Sequence, residues 1–198
     1  MANLFAVRSV GSSLMTRLRN AYGAHPADLG SAFPCDFRLL SSGELAEIGD
    51  IGTTVSLYLY RVIINEHVRG KRHPNDPRGA AAPLSVDLHY LFSIWASSAA
   101  AENTLAAWLM NELHQHPILD SASLSADAGW DDDEIVHIIP AELNNEDLMR
   151  IWDALAPSYR LSLTYIARVV RIDGPVEAPA LSVVSTRFGY TETDGDDG

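Results

Sequence analysis

The chain is short of several things, and each shortage removes a class of explanation. Its 198 residues hold one cysteine, Cys35, so no disulfide can form within the chain, and a reducing compartment is the natural expectation. Lysine occurs once, at Lys71. Lys and Arg together number 14 against 26 Asp and Glu, giving a formal charge of −12 and a pI near 4.8. Phosphate repulsion therefore argues against nucleic acid as a partner. No run of 18 apolar residues exists, so no membrane insertion is expected. The first 22 residues lack a basic start followed by an unbroken apolar block, and Arg8, Arg17 and Arg19 interrupt them. No secretory signal is expected there. A Walker loop, a GxGxxG turn after a strand and a GxSxG elbow are all missing, so neither nucleotide use nor an α/β-hydrolase nucleophile finds a motif. No cofactor is expected.

What is present is ordinary core material. Hydrophobic residues make up 47% of the chain and mean hydropathy is near zero, which suits one domain at this length. Apolar spacing predicts a helix over 3–22, with Leu4, Val7, Leu14 and Leu18 on its buried side and Gly11 a weak point. A Gly- and Pro-containing loop follows. A short strand is expected over 36–41, and a brief helix over 42–48 capped by Ser42. Residues 53–65 read as a long strand, with Val55, Leu57, Leu59 and Ile63 on one face and Arg61 breaking it. The connection 66–83 is polar, with two glycines and three prolines, and suits a loop. The cleanest strand is 84–95, where Leu84, Val86, Leu88, Tyr90, Phe92 and Ile94 alternate with Ser85, Asp87, His89 and Ser93. A helix over 99–116 follows, with Leu105, Trp108, Leu109 and Leu113 inside and Pro117 just past its end. Short strands are expected at 118–124 and 134–140. Asn144 or Asn145 should cap the next helix, with Glu146 and Asp147 favourably placed in its first turn.

Over 148–173 the period changes. Leu148, Ile151, Trp152 and Leu155 make a helical stripe that Pro157 ends. From there Leu161, Leu163, Tyr165, Ala167 and Val169 alternate with Ser162, Thr164, Ile166, Arg168 and Val170. Such a strand can meet other subunits as well as its own core. The expected class is α/β, or α+β, with a mixed sheet flanked by helices. Residues 1–173 are expected to form the domain. Residues 174–198 are expected to form an extended arm with a disordered acidic tip, in which 181–186 alternates weakly and suits an added strand.

Candidate chemistry is thin. His114 and His116 stand two apart at a helix end, whereas paired helical ligands stand four apart, and the helix dipole accounts for them. Asp131, Asp132, Asp133 and Glu134 are the densest acidic run, but Gly129 precedes it rather than sitting inside it, so a solvated or docking loop fits better than a calcium loop. No metal site is assigned. Cys35 between Pro34 and Asp36 reads as a buried, inert thiol. Asp87 and His89 share a strand face, where Ser85 or Ser162 would complete a nucleophile–base–orienter set. That is the basis of an alternative reading as a small hydrolase or ligand-binding domain. The cluster Arg69, Lys71, Arg72, His73 and Arg78 stands out in so acidic a chain. It reads either as a solvated loop or as a patch complementary to the Asp131–Glu134 loop of a neighbouring copy.

The LMRIWDALAPSYRLSLTYIARVVRID stretch, following the LSVDLHYLFSIWA strand, resembles the tail-terminator or cap proteins of extracellular contractile injection systems. These are phage-tail-like particles of the antifeeding-prophage and virulence-cassette kind. The likeness runs over about residues 4–173. It implies a structural protein and no enzyme: a homo-hexameric ring that closes the top of an inner tube and its sheath. The implied partners are copies of itself, the sheath protein and the inner tube protein. It would be cytoplasmic during assembly and then part of a particle. Residues 181–190, with Phe188 and Tyr190 as aromatic anchors, are candidates for the arm that engages the sheath.

Overall fold

A computed structural model describes residues 2–26, 29–66 and 83–173. Its centre is one mixed sheet built from β1 (Asp36–Leu40), β2 (Thr54–Ile64), β3 (Leu84–Trp95), β4 (Ile118–Asp120), β5 (Ile135–Pro140) and β6 (Ser162–Ile172). The order across the sheet is β1-β2-β3-β6-β5-β4, with β1 parallel to β2 and every other neighbour antiparallel. Of the two classes the sequence allows, α/β and α+β, the structure is α+β.

The period-two pattern decides which face each side chain takes. Val55, Leu57 and Leu59 of β2 stand opposite Ile94, Phe92 and Tyr90 of β3, and Phe92, Tyr90 and Leu88 stand opposite Leu163, Tyr165 and Ala167 of β6. This face is covered by α1 (Ala6–Gly23) and α4 (Ala99–Gln115), whose Val10, Leu14, Leu18, Leu105, Leu109 and Leu113 join the same buried cluster. Where the two helices meet β1, the rings of Tyr22, Phe37 and Trp108 interlock with centroids 4.8–5.7 Å apart, in the tilted and edge geometries that aromatic pairs favour. The opposite face carries a smaller cluster. There α3 (Ser42–Ala46) and α5 (Asn145–Ala154) bring Leu45 and Trp152 onto Leu91 and Trp95.

Several expectations need correction. Leu4 precedes α1 and is 82% exposed; the buried stripe begins at Ala6. Gly11 is a site of close approach rather than of weakness, since a Cβ there would stand 3.1 Å from a Leu39 methyl. A short helical turn, α2 (Leu29–Ala32), occupies part of the expected loop. Ser41, not Ser42, caps α3, in a capping box with Glu44. The strand expected over 118–124 stops at Asp120, whose Oδ1 accepts from the Ser123 backbone N–H and hydroxyl and folds the chain into a turn. A bulge between Leu59 and Arg61 moves Arg61 to the His89 face, which is why it interrupts the apolar row. A second bulge on β6 has the same effect. Val86 pairs with Val170 and Leu88 with Ala167, so Val170, not Val169, is the fully buried valine. The caps Ser98 on α4 and Asn144 on α5 follow the sequence rules, Asn144 Oδ1 accepting from the Asp147 N–H at 2.8 Å.

Candidate interaction surface

The first feature the fold offers outward is an open sheet edge. β1 pairs only with Thr54 through Tyr58, so residues 59–64 of β2 have β3 on one side and no described strand on the other. A long strand edge presents unpaired peptide groups, and native proteins usually blunt such edges with lysine, proline or a covering element. Here the edge carries Val62 and Ile64, which are 50% and 60% exposed. Beside it lies a groove of about 610 Å³, walled by Leu4, Val7, Leu39, Leu59 and Tyr90. The Tyr90 hydroxyl at its base is buried without a hydrogen-bond partner among the described residues, and burial pushes its pKa upward.

The polar part of the second sheet face is a charge cluster rather than a catalytic set. Asp87 Oδ2 accepts from Arg168 at 2.9 Å, and both Asp87 oxygens accept from Asn65 Nδ2, at 3.0 and 3.2 Å. His89 lies edge-on to the Tyr60 ring at 5.9 Å. Its pKa is depressed, first by burial and then by Arg61 and Arg168, with Asp87 opposing. Ser162 pairs with Ser93, whereas His89 pairs with Ile166, four residues further along β6. At about 3.3 Å per residue that is about 13 Å, too far for proton transfer. The Ser162 hydroxyl donates to the Arg160 carbonyl at 2.7 Å and accepts from Trp152 Nε1 at 3.1 Å. Asp87, His89 and Ser162 therefore do not meet as nucleophile, base and orienter.

The other candidates separate by location. Asp131, Asp132 and Asp133 are exposed on the loop ahead of β5, where the Asp132 carbonyl accepts from Ser121 Oγ at 3.1 Å. Glu134, the fourth acid of that run, is instead buried, 3.9 Å from Arg171. Its pKa is raised by desolvation and further by Asp131 and Asp133. Arg69, Lys71, Arg72, His73, Arg78, Phe188 and Tyr190 lie outside the described residues. His116 pairs with Glu112 at 3.1 Å, as a residue at a helix C-terminus would, and His114 is exposed. Cys35 is half-buried, its thiol pushed up to about 12 by burial, so it is a poor nucleophile near neutral pH.

Sequence reasoning missed the groove, because its walls come from the helix N-terminus, β1, β2 and β3, which are adjacent only in the fold. The sequence marked Leu4, Val7 and Leu59 among its walls only as apolar-face residues, a pattern that does not separate a groove from a core. It also missed Arg17. That guanidinium clamps α1 to the end of α4, with Nη1 donating to the Ile118 carbonyl at 2.8 Å and Nη2 to the His116 carbonyl at 2.6 Å.

The sequence model of the family described as the Pvc16 N-terminal domain matches residues 9–186. Among solved structures, the sheath/tube terminator of the PVC extracellular contractile injection system, in its extended state, is 19% identical, with a TM-score of 0.54 over 93% of this chain. The chain spans 64% of that terminator's length. The anti-feeding prophage tube-terminating cap is also 19% identical, with a TM-score of 0.44 over 68% of this chain and 50% of the cap. No curated protein matches the sequence.

Proposed function

Since the chain belongs to the Pvc16 N-terminal domain family, we propose that it is a structural terminator of a contractile injection particle. In this reading, copies of the chain close into a ring on the distal end of the inner tube and sheath. The need for such a part is physical. Tube and sheath are stacked rings, and a heterologous interface propagates until the next binding surface is removed. A ring that fits the growing end below and offers no matching face above stops growth.

The observation that carries the reading is the family match across most of the chain, joined to a fold shared with a sheath/tube terminator. The open β2 edge gives the reading a contact. An extended segment of a sheath subunit that adds to a free edge gains main-chain hydrogen bonds with little demand on its own side chains. The groove beside the edge supplies an apolar seat for that segment's inward side chains. Sixfold closure, the sheath and tube proteins as partners, and residues 181–190 as a reaching arm all belong to this proposal.

The test is assembly of particles from a cluster lacking this chain. Electron micrographs should show tubes and sheaths of broadly scattered length with open distal ends, and supplying the chain in trans should restore one narrow length. Particles of normal, uniform length without it would end the proposal.

A further inference from the structure

At the sheet end opposite the free β2 edge, the chain builds a second cleft, of about 600 Å³, between the 49–53 loop, the turn after β3 and Arg160. The arginine is its conspicuous feature. Its guanidinium carbon sits 5.1 Å from the Trp95 ring centroid, a cation–π distance. Its Nε is buried and donates to nothing, and Arg160 makes no ion pair among the described residues. In a chain of formal charge −12, a cation left without a carboxylate calls for an explanation.

The arginine is also held in place. Trp95, beneath it, is 5% exposed and donates from Nε1 to Ser56 Oγ at 2.8 Å. Trp152 packs edge-on to Trp95 with centroids 6.2 Å apart and donates to Ser162 Oγ, which in turn donates to the carbonyl of Arg160 itself. The hydrogen-bond ladder ties down the Arg160 main chain, and the buried Trp95 ring gives its guanidinium a seat. The same cleft is lined by the small or bare Gly49, Gly52 and Ser97. Asp50 stands exposed at the mouth, its Oδ1 turned onto the Gly52 N–H at 2.9 Å and so engaged with its own loop.

We infer that this cleft is a binding site for a carboxylate group, taken by the Arg160 fork. The two Nη groups of a planar guanidinium match a planar carboxylate through two parallel hydrogen bonds, with the buried Nε–H reporting on the group without touching the ligand. The Asp50 charge at the mouth disfavours a phosphate dianion relative to a single carboxylate. The carboxylate has two possible sources: an acidic side chain on a protein segment, or a small free acid.

The test uses the full chain, with the Nε–Hε resonance of Arg160 followed by NMR while glutarate, a short Asp/Glu peptide or inorganic phosphate is added. Carboxylate probes should move that resonance to saturation, and the effect should weaken with added salt. A tighter peptide marks a protein partner, and a tighter glutarate marks a small acid; either supports the site. Arg160→Gln should weaken the binding by at least about tenfold, and Arg160→Lys, which keeps charge but not the fork, by about three- to tenfold. Circular dichroism of both variants confirms the fold, and Arg160→Lys still reads the fork if the glutamine variant unfolds. No shift with either carboxylate, tighter binding of phosphate, or undiminished binding by a folded Arg160→Lys variant would overturn the assignment.

Discussion

At the scale of single residues, two arginines of this acidic chain, Arg17 and Arg19, act as ties to backbone carbonyls and not as surface charge. Arg17 is the clearest case. Burial lowers its pKa, with Glu112 and Asp120 opposing, and it spends its Nη donors on the carbonyls that leave the end of α4. Replacing it with Met keeps the apolar stem but strands those carbonyls at a helix end that has few other donors. Charge-assisted bonds to partly exposed acceptors contribute modestly, so Arg17→Met should cost about 1–2 kcal/mol of stability. Urea denaturation measures this, and a loss near zero would mean water replaces both bonds fully. None of this is readable from the sequence, where Arg17 simply interrupts an apolar face. Caps are the opposite case. Asn144 was legible, as one of two candidates, because the group it satisfies lies three residues away in the same chain. The pattern of residues on the polar sheet face was legible too. Which acid met which base was not, since Asp87 and Arg168 are partners only through the register of β3 on β6.

At the scale of elements, the long strands and α4 were recovered from period alone, and the errors fall at the bulges. A bulge is a property of a pair of strands, one residue more on one side than on the other, so a single strand's alternation does not announce it. Arg61 in β2 and Val170 in β6 are the two residues whose faces turn on this. The functional consequence sits on β2. Val62 and Ile64 face outward beyond the reach of β1, on the edge proposed to receive a partner's strand. Lysine is the residue native edges use to refuse pairing. The double variant Val62→Lys, Ile64→Lys should therefore change fold stability by no more than about 0.5 kcal/mol, since both sites are exposed. It should nevertheless fail to restore uniform particle length when supplied to particles lacking the chain. Met149→Lys, at an exposed apolar site on α5, is the control and should restore it fully. If all three proteins cap equally, the β2 edge is not the contact.

At the scale of the whole molecule, the charge of −12 sets the problem that the proposed ring must solve. Identical acidic copies repel, so closure needs either apolar burial or local complementarity strong enough to outweigh the repulsion. The exposed Asp131, Asp132 and Asp133 provide one half of such a pairing, and the basic run Arg69, Lys71, Arg72 and Arg78 provides the other in the proposed head-to-tail contact. The two sources of closure respond to salt in opposite directions. Screening relieves repulsion and so favours an apolar ring, whereas it weakens a ring held by exposed opposite charges. The Debye length falls from about 10 Å at 0.1 M salt to about 3 Å at 1 M, so the choice is made within that range. The charge-paired ring predicts a sedimentation coefficient that drops toward that of the single chain as salt rises. It predicts the same drop at low salt when Asp131, Asp132 and Asp133 are all changed to Lys, and recovery when Arg69, Arg72 and Arg78 are changed to Asp in that background. Recovery in the combined variant is the decisive result, because general repulsion between copies cannot restore a specific contact. A ring that persists or grows with salt, indifferent to both sets of changes, would assign closure to the apolar edge and groove instead.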